Sequence, residues 1–168
     1  MTFLRQSLVV LMFLGFAVLQ AKPYPEQWDW PLKIGHVEIV SRGVNDFKKI
    51  QDFFKSKDPN LHWLILRTDP ETPAGIYFET SLNHTAKNFP AGSTLRLSYI
   101  TKQAPTELKT YTFIIPLEKQ WRLLIGLTDT ARAVSAPYDI FAWCITVMDA
   151  EGTLLADKKS FLWEKPSL

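Results

Sequence analysis

Cysteine is almost absent from this sequence, and its scarcity excludes the disulfide-stapled class of small secreted proteins. Cys144 is the only cysteine among the 168 residues, so no disulfide can form within the chain. Trp143 and Ile145 flank it, and such large apolar neighbours favour a buried thiol that packs as a small hydrophobic side chain. The alternatives are pairing between two chains and a reactive thiol.

Glycine and histidine are also scarce, and the motifs that depend on them are missing. The seven glycines stand singly, which excludes a phosphate-binding loop, a dinucleotide fingerprint and a Gly-x-Ser-x-Gly nucleophile elbow. The three histidines, His36, His62 and His84, lack the spacing of metal ligands. We therefore expect no cofactor and no metal site, and we expect each histidine on the surface or at a strand edge.

Charge of one sign is not concentrated anywhere in the chain. The formal net charge is +2 and no basic run occurs, so there is no electrostatic case for binding nucleic acid or an anionic membrane. Hydrophobic residues make up 46% of the sequence and aromatic residues 13%. This composition argues against disorder and for a packed core.

Residues 1–21 have the parts of a secretory signal peptide: a positive charge near the start, an apolar run and a small final residue. The apolar run, Ser7 to Leu19, is shorter than the ~20 residues that span a bilayer comfortably. We expect a secreted or periplasmic protein with no membrane contact after cleavage; the alternative is an uncleaved anchor. A secreted domain without disulfides favours a bacterial protein.

The remaining chain divides into an extended N-terminal arm, residues 22–31, and a single domain, residues 32–168. Prolines between spaced aromatics keep the arm from forming a helix. In the domain, short apolar or alternating runs between turn-forming clusters predict strands. The runs are Leu32–Ser41, Leu61–Thr68, Ile76–Leu82, Thr94–Thr101, Thr110–Ile115 and Trp121–Thr128.

The run from Asp139 to Trp163 predicts a β-hairpin around which the domain is organised. Its first arm, residues 140–148, is mostly apolar on both alternating faces, so neither face can be left in water. We expect a central strand there, followed by the turn Asp149–Gly152 and a second arm that ends at Trp163.

One helical pattern interrupts the strands. Its N-cap is Asn45 or Asp46, and apolar residues then recur at helical spacing: Phe47, Ile50, Phe53 and Phe54. One short amphipathic helix, about eight strands and no alternation of strands with helices predict a mainly β fold, an antiparallel two-sheet sandwich.

Two segments resemble immunoglobulin-like and fibronectin-type sandwiches of bacterial secreted proteins, including small families without an assigned function. They are Phe89–Leu95, a turn that leads into a strand, and Gly152–Phe161, the closing strand. The resemblance implies the fold and brings no catalytic residue with it. The immunoglobulin cystine is missing, which excludes the antibody-like branch as a close relative.

Aromatic residues in the arm are the candidate ligand-binding residues: Tyr24, Trp28 and Trp30. Rigid exposed rings serve binders of sugars and peptides as stacking surfaces. The alternative is that the arm folds back and buries the two tryptophans along the sandwich.

Two glutamates on predicted strands, Glu38 and Glu79, are the candidate acids of a glycosidase. The favoured interpretation places both on solvent faces or edges, where charge discourages aggregation between sheets. Asn83-His84-Thr85 is a glycosylation sequon, which matters only in a eukaryotic secretory pathway.

Two function classes follow. The favoured one is a non-catalytic secreted or periplasmic module that binds a protein or glycan through an exposed edge or through the loops at 69–75, 83–93 and 129–138. The alternative is a small secreted hydrolase whose site is assembled from residues distant in sequence. The pattern leaves the oligomeric state open.

The signal peptide yields the first testable prediction. We expect cleavage after Ala21, and mass spectrometry of the exported protein measures the mature N-terminus directly. A mature chain that still begins at Met1 would contradict the prediction and favour the alternative, an uncleaved membrane anchor.

Overall fold

Two four-stranded β-sheets pack as a sandwich in the structure, a computed structural model that describes residues 31–47, 63–128 and 136–163. This confirms the predicted mainly β sandwich. The strands are β1 (Glu38–Arg42), β2 (Trp63–Arg67), β3 (Gly75–Ser81), β4 (Thr94–Thr101), β5 (Lys109–Ile114), β6 (Arg122–Leu127), β7 (Ile140–Met148) and β8 (Leu154–Lys159). The first sheet has the order β1-β3-β6-β2 and the second the order β5-β4-β7-β8.

The described strand pairs are antiparallel except for one. β2 runs parallel to β6 at the end of the first sheet, with Leu64 opposite Leu123. Parallel neighbours need a long crossover connection, and here β3, β4 and β5 all lie between the two strands in the chain. A hydrophobic pattern predicts that a segment is a strand but carries no information on its direction, so the parallel pair was not foreseen.

The core lies between the inner faces of the two sheets. Alternate residues of the central strands point into it, as strand geometry requires, and they are almost fully buried: Ile76, Phe78, Leu123, Ile125, Leu95, Leu97, Ile145 and Val147. Trp143 contacts Phe78 edge to face across the two layers, with the ring centroids 5.9 Å apart. Burial of each such side chain contributes about 1.5–3 kcal/mol, and this term holds the layers together.

The C-terminal hairpin forms as predicted, with β7 in the middle of its sheet between β4 and β8. Gly152 has a φ of +83°, which favours glycine, and the Asp149 carboxylate accepts the Thr153 N–H at 2.7 Å. The second arm is shorter than expected, since β8 ends at Lys159 and the chain then turns. Ser160 makes the last contacts with Trp143, by donating its N–H to the carbonyl and accepting the Trp143 N–H on its hydroxyl.

The first strand is also shorter than Leu32–Ser41. Before β1 the chain makes only an isolated bridge, between Ile34 and Leu82. At Gly35 the backbone comes so close to β3 that an added Cβ would lie 2.6 Å from the Ser81 hydroxyl. A larger residue here would have to displace the Ser81 hydroxyl, and the close backbone approach coincides with the break in regular pairing before β1.

The predicted helix begins at residue 44, one position before the expected cap. Gly43 therefore precedes the first turn, and the Asp46 carboxylate reaches back to accept the Gly43 N–H at 2.8 Å. Asp46 thus plays the part of the acidic residue of a capping box, three positions into the motif. Ile50, Phe53 and Phe54 lie outside the described residues.

Cys144 is buried, with 7% of its surface exposed, as its neighbours predict. It does not belong to the inter-sheet core, because Trp143, Ile145 and Val147 occupy the inner face of β7. Its cross-strand partners on the outer face are Ser98 and Lys159.

We expect the Cys144 thiol to react slowly in the folded protein, because a buried thiol is inaccessible to reagents. Labelling with a maleimide should be complete in denaturant and at least about tenfold slower without it. Fast labelling of the native chain, or a disulfide-linked dimer on a non-reducing gel, would contradict the expectation.

Asn83, the acceptor residue of the sequon, holds the N-terminal segment to β3. Its side-chain amide donates to the Pro31 carbonyl at 2.9 Å and its oxygen accepts the Lys33 N–H at 2.6 Å. A glycan on the amide nitrogen would replace one of its two hydrogens. The two hydrogen bonds of the side chain give Asn83 a structural role, since they hold residues 31 and 33 in place.

Asn83→Ala should lower the free energy of unfolding by about 1–2 kcal/mol, because both hydrogen bonds are lost. The matched control is Thr85→Ala, which destroys the sequon but keeps the contacts of Asn83; urea denaturation should show almost no change. Equal effects of the two substitutions would refute the structural role.

Candidate functional site

The first sheet buries apolar residues on its outer face as well as its inner one. Phe47, at the start of the helix, packs with Tyr77 and Leu124 in a small buried cluster on the face turned away from the second sheet. Trp63 and Ile65 of β2 pack against its margin. This cluster gives the indole of Trp63 a fixed support.

Tyr77 is the centre of that cluster. Its ring lies against Gly126, where an added Cβ would be 2.5 Å from a ring carbon. Its hydroxyl donates to the Pro73 carbonyl at 2.6 Å and accepts from Arg67 Nε at 2.9 Å. Burial raises the pKa of Tyr77, although the Arg67 hydrogen bond and charge oppose the shift. The Arg67 guanidinium in turn lies 4.7 Å from the Phe47 ring.

Beside the cluster, the same outer face carries an open groove of about 280 Å³. β1, β3, β6 and β2 all contribute to it, together with the residues just before β1 and β6. We call it the Trp–Arg groove, and its principal side chains are His36, Glu38, Trp63, Glu79, Trp121 and Arg122.

Arg122 lies between the two indoles of the groove. Its guanidinium carbon is 4.9 Å from the Trp121 ring and 5.6 Å from the Trp63 ring. Both distances fall within the ~6 Å over which a cation is attracted to an aromatic face. The contacts orient a planar group with several N–H donors, while Trp121 remains 36% exposed. The groove therefore offers flat apolar surface next to a held hydrogen-bond donor.

The two candidate carboxylates lie opposite each other in this groove. Glu38 of β1 is the cross-strand partner of Glu79 of β3, so both side chains are on the same face. Glu79 is engaged by Arg42, which donates Nε at 2.8 Å and a terminal guanidinium nitrogen to the same carboxylate oxygen. Glu38 is exposed and makes no ion pair with any described residue.

The structure thus brings three of the sequence-predicted polar residues together, namely His36, Glu38 and Glu79. His84 lies elsewhere, in the loop after β3, and is not part of the groove. The predicted aromatic site, Tyr24, Trp28 and Trp30, lies outside the described residues. The same holds for His62, for the leader and for most of the arm.

Three other residues of the groove, Trp63, Trp121 and Arg122, were not predicted as site residues. The predicted strand Trp121–Thr128 included Trp121, whose place in the alternating pattern put it on the same face as Leu123, but β6 begins only at Arg122. Alternation therefore does not extend to Trp121, and its ring lies on the outer face. The signal that was available is the dipeptide Trp121-Arg122, since adjacent aromatic and guanidinium groups suit stacking.

The loop at 69–75, one of the three proposed binding loops, is tied down by its own hydrogen bonds. The Asp69 carboxylate accepts from the Thr72 hydroxyl at 2.7 Å and from the Glu71 N–H at 3.0 Å. These two bonds lower the pKa of Asp69. Such a loop is a structural turn, and the groove is the better candidate for a ligand.

Within residues 31–47, 63–128 and 136–163, no three His, Cys, Asp or Glu side chains gather in a way that could hold a metal ion. In the same residues no helix is long and apolar enough to cross a membrane.

No protein-family model, no curated protein sequence and no solved structure matches this chain.

Proposed function

We propose that this chain is a non-catalytic extracytoplasmic module that binds a glycan in the Trp–Arg groove. The observation that carries the proposal is the Arg122 guanidinium held between Trp63 and Trp121 on an open sheet face. The extracytoplasmic location is supported by the leader-like pattern of residues 1–21.

A sugar fits the chemistry of the groove better than a charged or wholly apolar ligand does. The apolar face of a pyranose ring suits an indole, and its hydroxyls suit a guanidinium, a carboxylate and an imidazole. The opposite charges of Arg122 and Glu38 leave little net field, while Arg42 offsets Glu79. A volume of about 280 Å³ lies at the lower end of small-molecule sites, which suits one sugar unit of a longer chain.

The strand order supports an immunoglobulin-like fold for the proposed module. With β2 set aside, the orders β1-β3-β6 and β5-β4-β7-β8 correspond to strands A-B-E and C′-C-F-G of immunoglobulin sandwiches.

Trp121→Ala should weaken glycan binding by about tenfold to a hundredfold, because a central aromatic contact is lost. Arg122→Lys should also weaken it, since lysine keeps the charge but lacks the planar fork. Binding is measured by calorimetry with oligosaccharides selected on a glycan array.

The matched control is Phe161→Ala, which removes an aromatic ring that is 79% exposed and lies outside both the groove and the three candidate binding loops. It should leave affinity unchanged, and none of the variants should shift the unfolding free energy by more than about 1 kcal/mol. A native chain that binds no glycan, or a Trp121→Ala variant of native affinity, would refute the proposal.

A small glycan hydrolase is the second candidate, and the opposed pair Glu38 and Glu79 favours it. Directly opposed residues have Cβ atoms ~4.5–5.5 Å apart, which is compatible with the ~5 Å carboxylate separation of retaining glycosidases. The ion pair between Arg42 and Glu79 favours the non-catalytic binding module instead. Release of reducing ends by the native chain and its loss in Glu38→Gln would establish the hydrolase.

A further inference from the structure

β5 ends the second sheet within the described residues, and its surface is unlike that of the outer strands β8 and β1. Its one charge is Lys109, its first residue; Thr110 to Ile114 carry none, the pairing with β4 contains no bulge, and the strand has no proline. An outer strand of this kind presents its backbone N–H and C=O groups to any further strand.

Two of the other outer strands, β8 and β1, carry features that discourage such pairing. β8 contains Asp157, Lys158 and Lys159 and has a register shift against β7. β1 begins with Glu38 and ends with Arg42. Charges and bulges of this kind protect an edge from a second strand. β2, the remaining described outer strand, resembles β5 in carrying a single charge, Arg67 at its last residue. Of these two strands, only β5 is framed by exposed apolar side chains.

Two exposed apolar side chains frame β5. Ile114, its last residue, is 76% exposed, and Leu108, just before it, is 58% exposed. Tyr111 and Phe113 pack against the core, so by alternation Thr110, Thr112 and Ile114 face outward. Leu108 falls on the same outward set, two positions before Thr110.

This outward set is self-complementary. In an antiparallel pair of two β5 strands with Tyr111 opposite Tyr111, Thr110 faces Thr112 of the other copy and Leu108 faces Ile114. Each exposed apolar residue is then covered by another at both ends of the pair, and the threonines form cross-strand pairs between them. A twofold axis repeats every contact, as a symmetric dimer requires.

We propose that two copies of this chain associate through β5 in that register and form one continuous eight-stranded sheet. The partner is a second copy because the outward set complements itself, with apolar against apolar and hydroxyl against hydroxyl. On the other face the same register places Tyr111 opposite Tyr111 and the cationic Lys109 opposite the Phe113 ring, to which a cation is attracted. A strand pair of this length buries less than the ~1,200 Å² of a stable standard interface. The dimer is therefore weak and depends on concentration.

Sedimentation equilibrium of the full chain from about 1 to 500 µM tests the association, a range suited to a small interface. We expect a reversible monomer–dimer equilibrium that Ile114→Lys weakens at least about tenfold, since it removes both Leu108–Ile114 pairs. Leu154→Lys is the matched control, because Leu154 is also an exposed apolar residue, 51% exposed, but lies on β8. It should leave the equilibrium unchanged.

Disulfide formation between introduced cysteines tests the register. The positions are Thr110 and Thr112, which are exposed, so we expect their substitution to leave the chain folded. Opposed residues have Cα atoms ~4.5–5.5 Å apart, within the ~4.4–6.8 Å of disulfides. A mixture of Thr110→Cys and Thr112→Cys chains should form an intermolecular disulfide on mild oxidation, whereas neither variant should do so alone.

Two results would overturn the proposal. A chain that stays monomeric over the whole range would indicate that the edge is unused or receives a strand of a different protein. Self-linking of Thr110→Cys or of Thr112→Cys alone would place the same residue opposite itself and exclude the register.

Discussion

The fit of the Tyr77 ring against Gly126 is the constraint on which the outer half of the first sheet depends. Because residue 126 has no side chain, the ring lies flat on β6 and its hydroxyl reaches both Arg67 and the Pro73 carbonyl. One side chain thereby links β2, β3, β6 and the loop before β3. Arg67 extends the link to Phe47 and the start of the helix. The indole of Trp63 rests on the margin of this cluster, so the groove inherits its rigidity.

Much of the fold is determined by local pattern and could be predicted from it. The boundaries of β4 and β7 agree with the apolar runs, and Gly152 marks the final turn, because period-two burial and a positive φ leave direct traces in sequence. The direction of β2 leaves no such trace. Nor does the start of β1, which lies after the close approach of Gly35 to Ser81, two residues far apart in the chain.

The candidate site was predictable only in part. Glu38 and Glu79 attract notice as charges on strands, but their meeting depends on the register of β1 against β3. The strands β2 and β6, which pair in parallel over a long connection, supply Trp63 and Arg122, and Trp121 directly precedes β6. Each of these residues has an ordinary role when considered alone. Stacking of a cation between two rings is a property of the assembled sheet, and hydrophobic periodicity describes only which faces are buried.

The parallel β2–β6 pair has a kinetic consequence for the groove. Three strands separate the partners in the chain, so their contact closes a long loop, and such contacts tend to form late in folding. Trp63 belongs to β2, at the end of the sheet, and takes its place when β2 pairs. Arg122 belongs to β6, in the middle of the sheet, and Trp121 directly precedes it. A ligand held between them would tie the last strand to the earlier ones and suppress its local opening. Occupancy of the groove would thus act as a clamp on a strand at the end of the sheet.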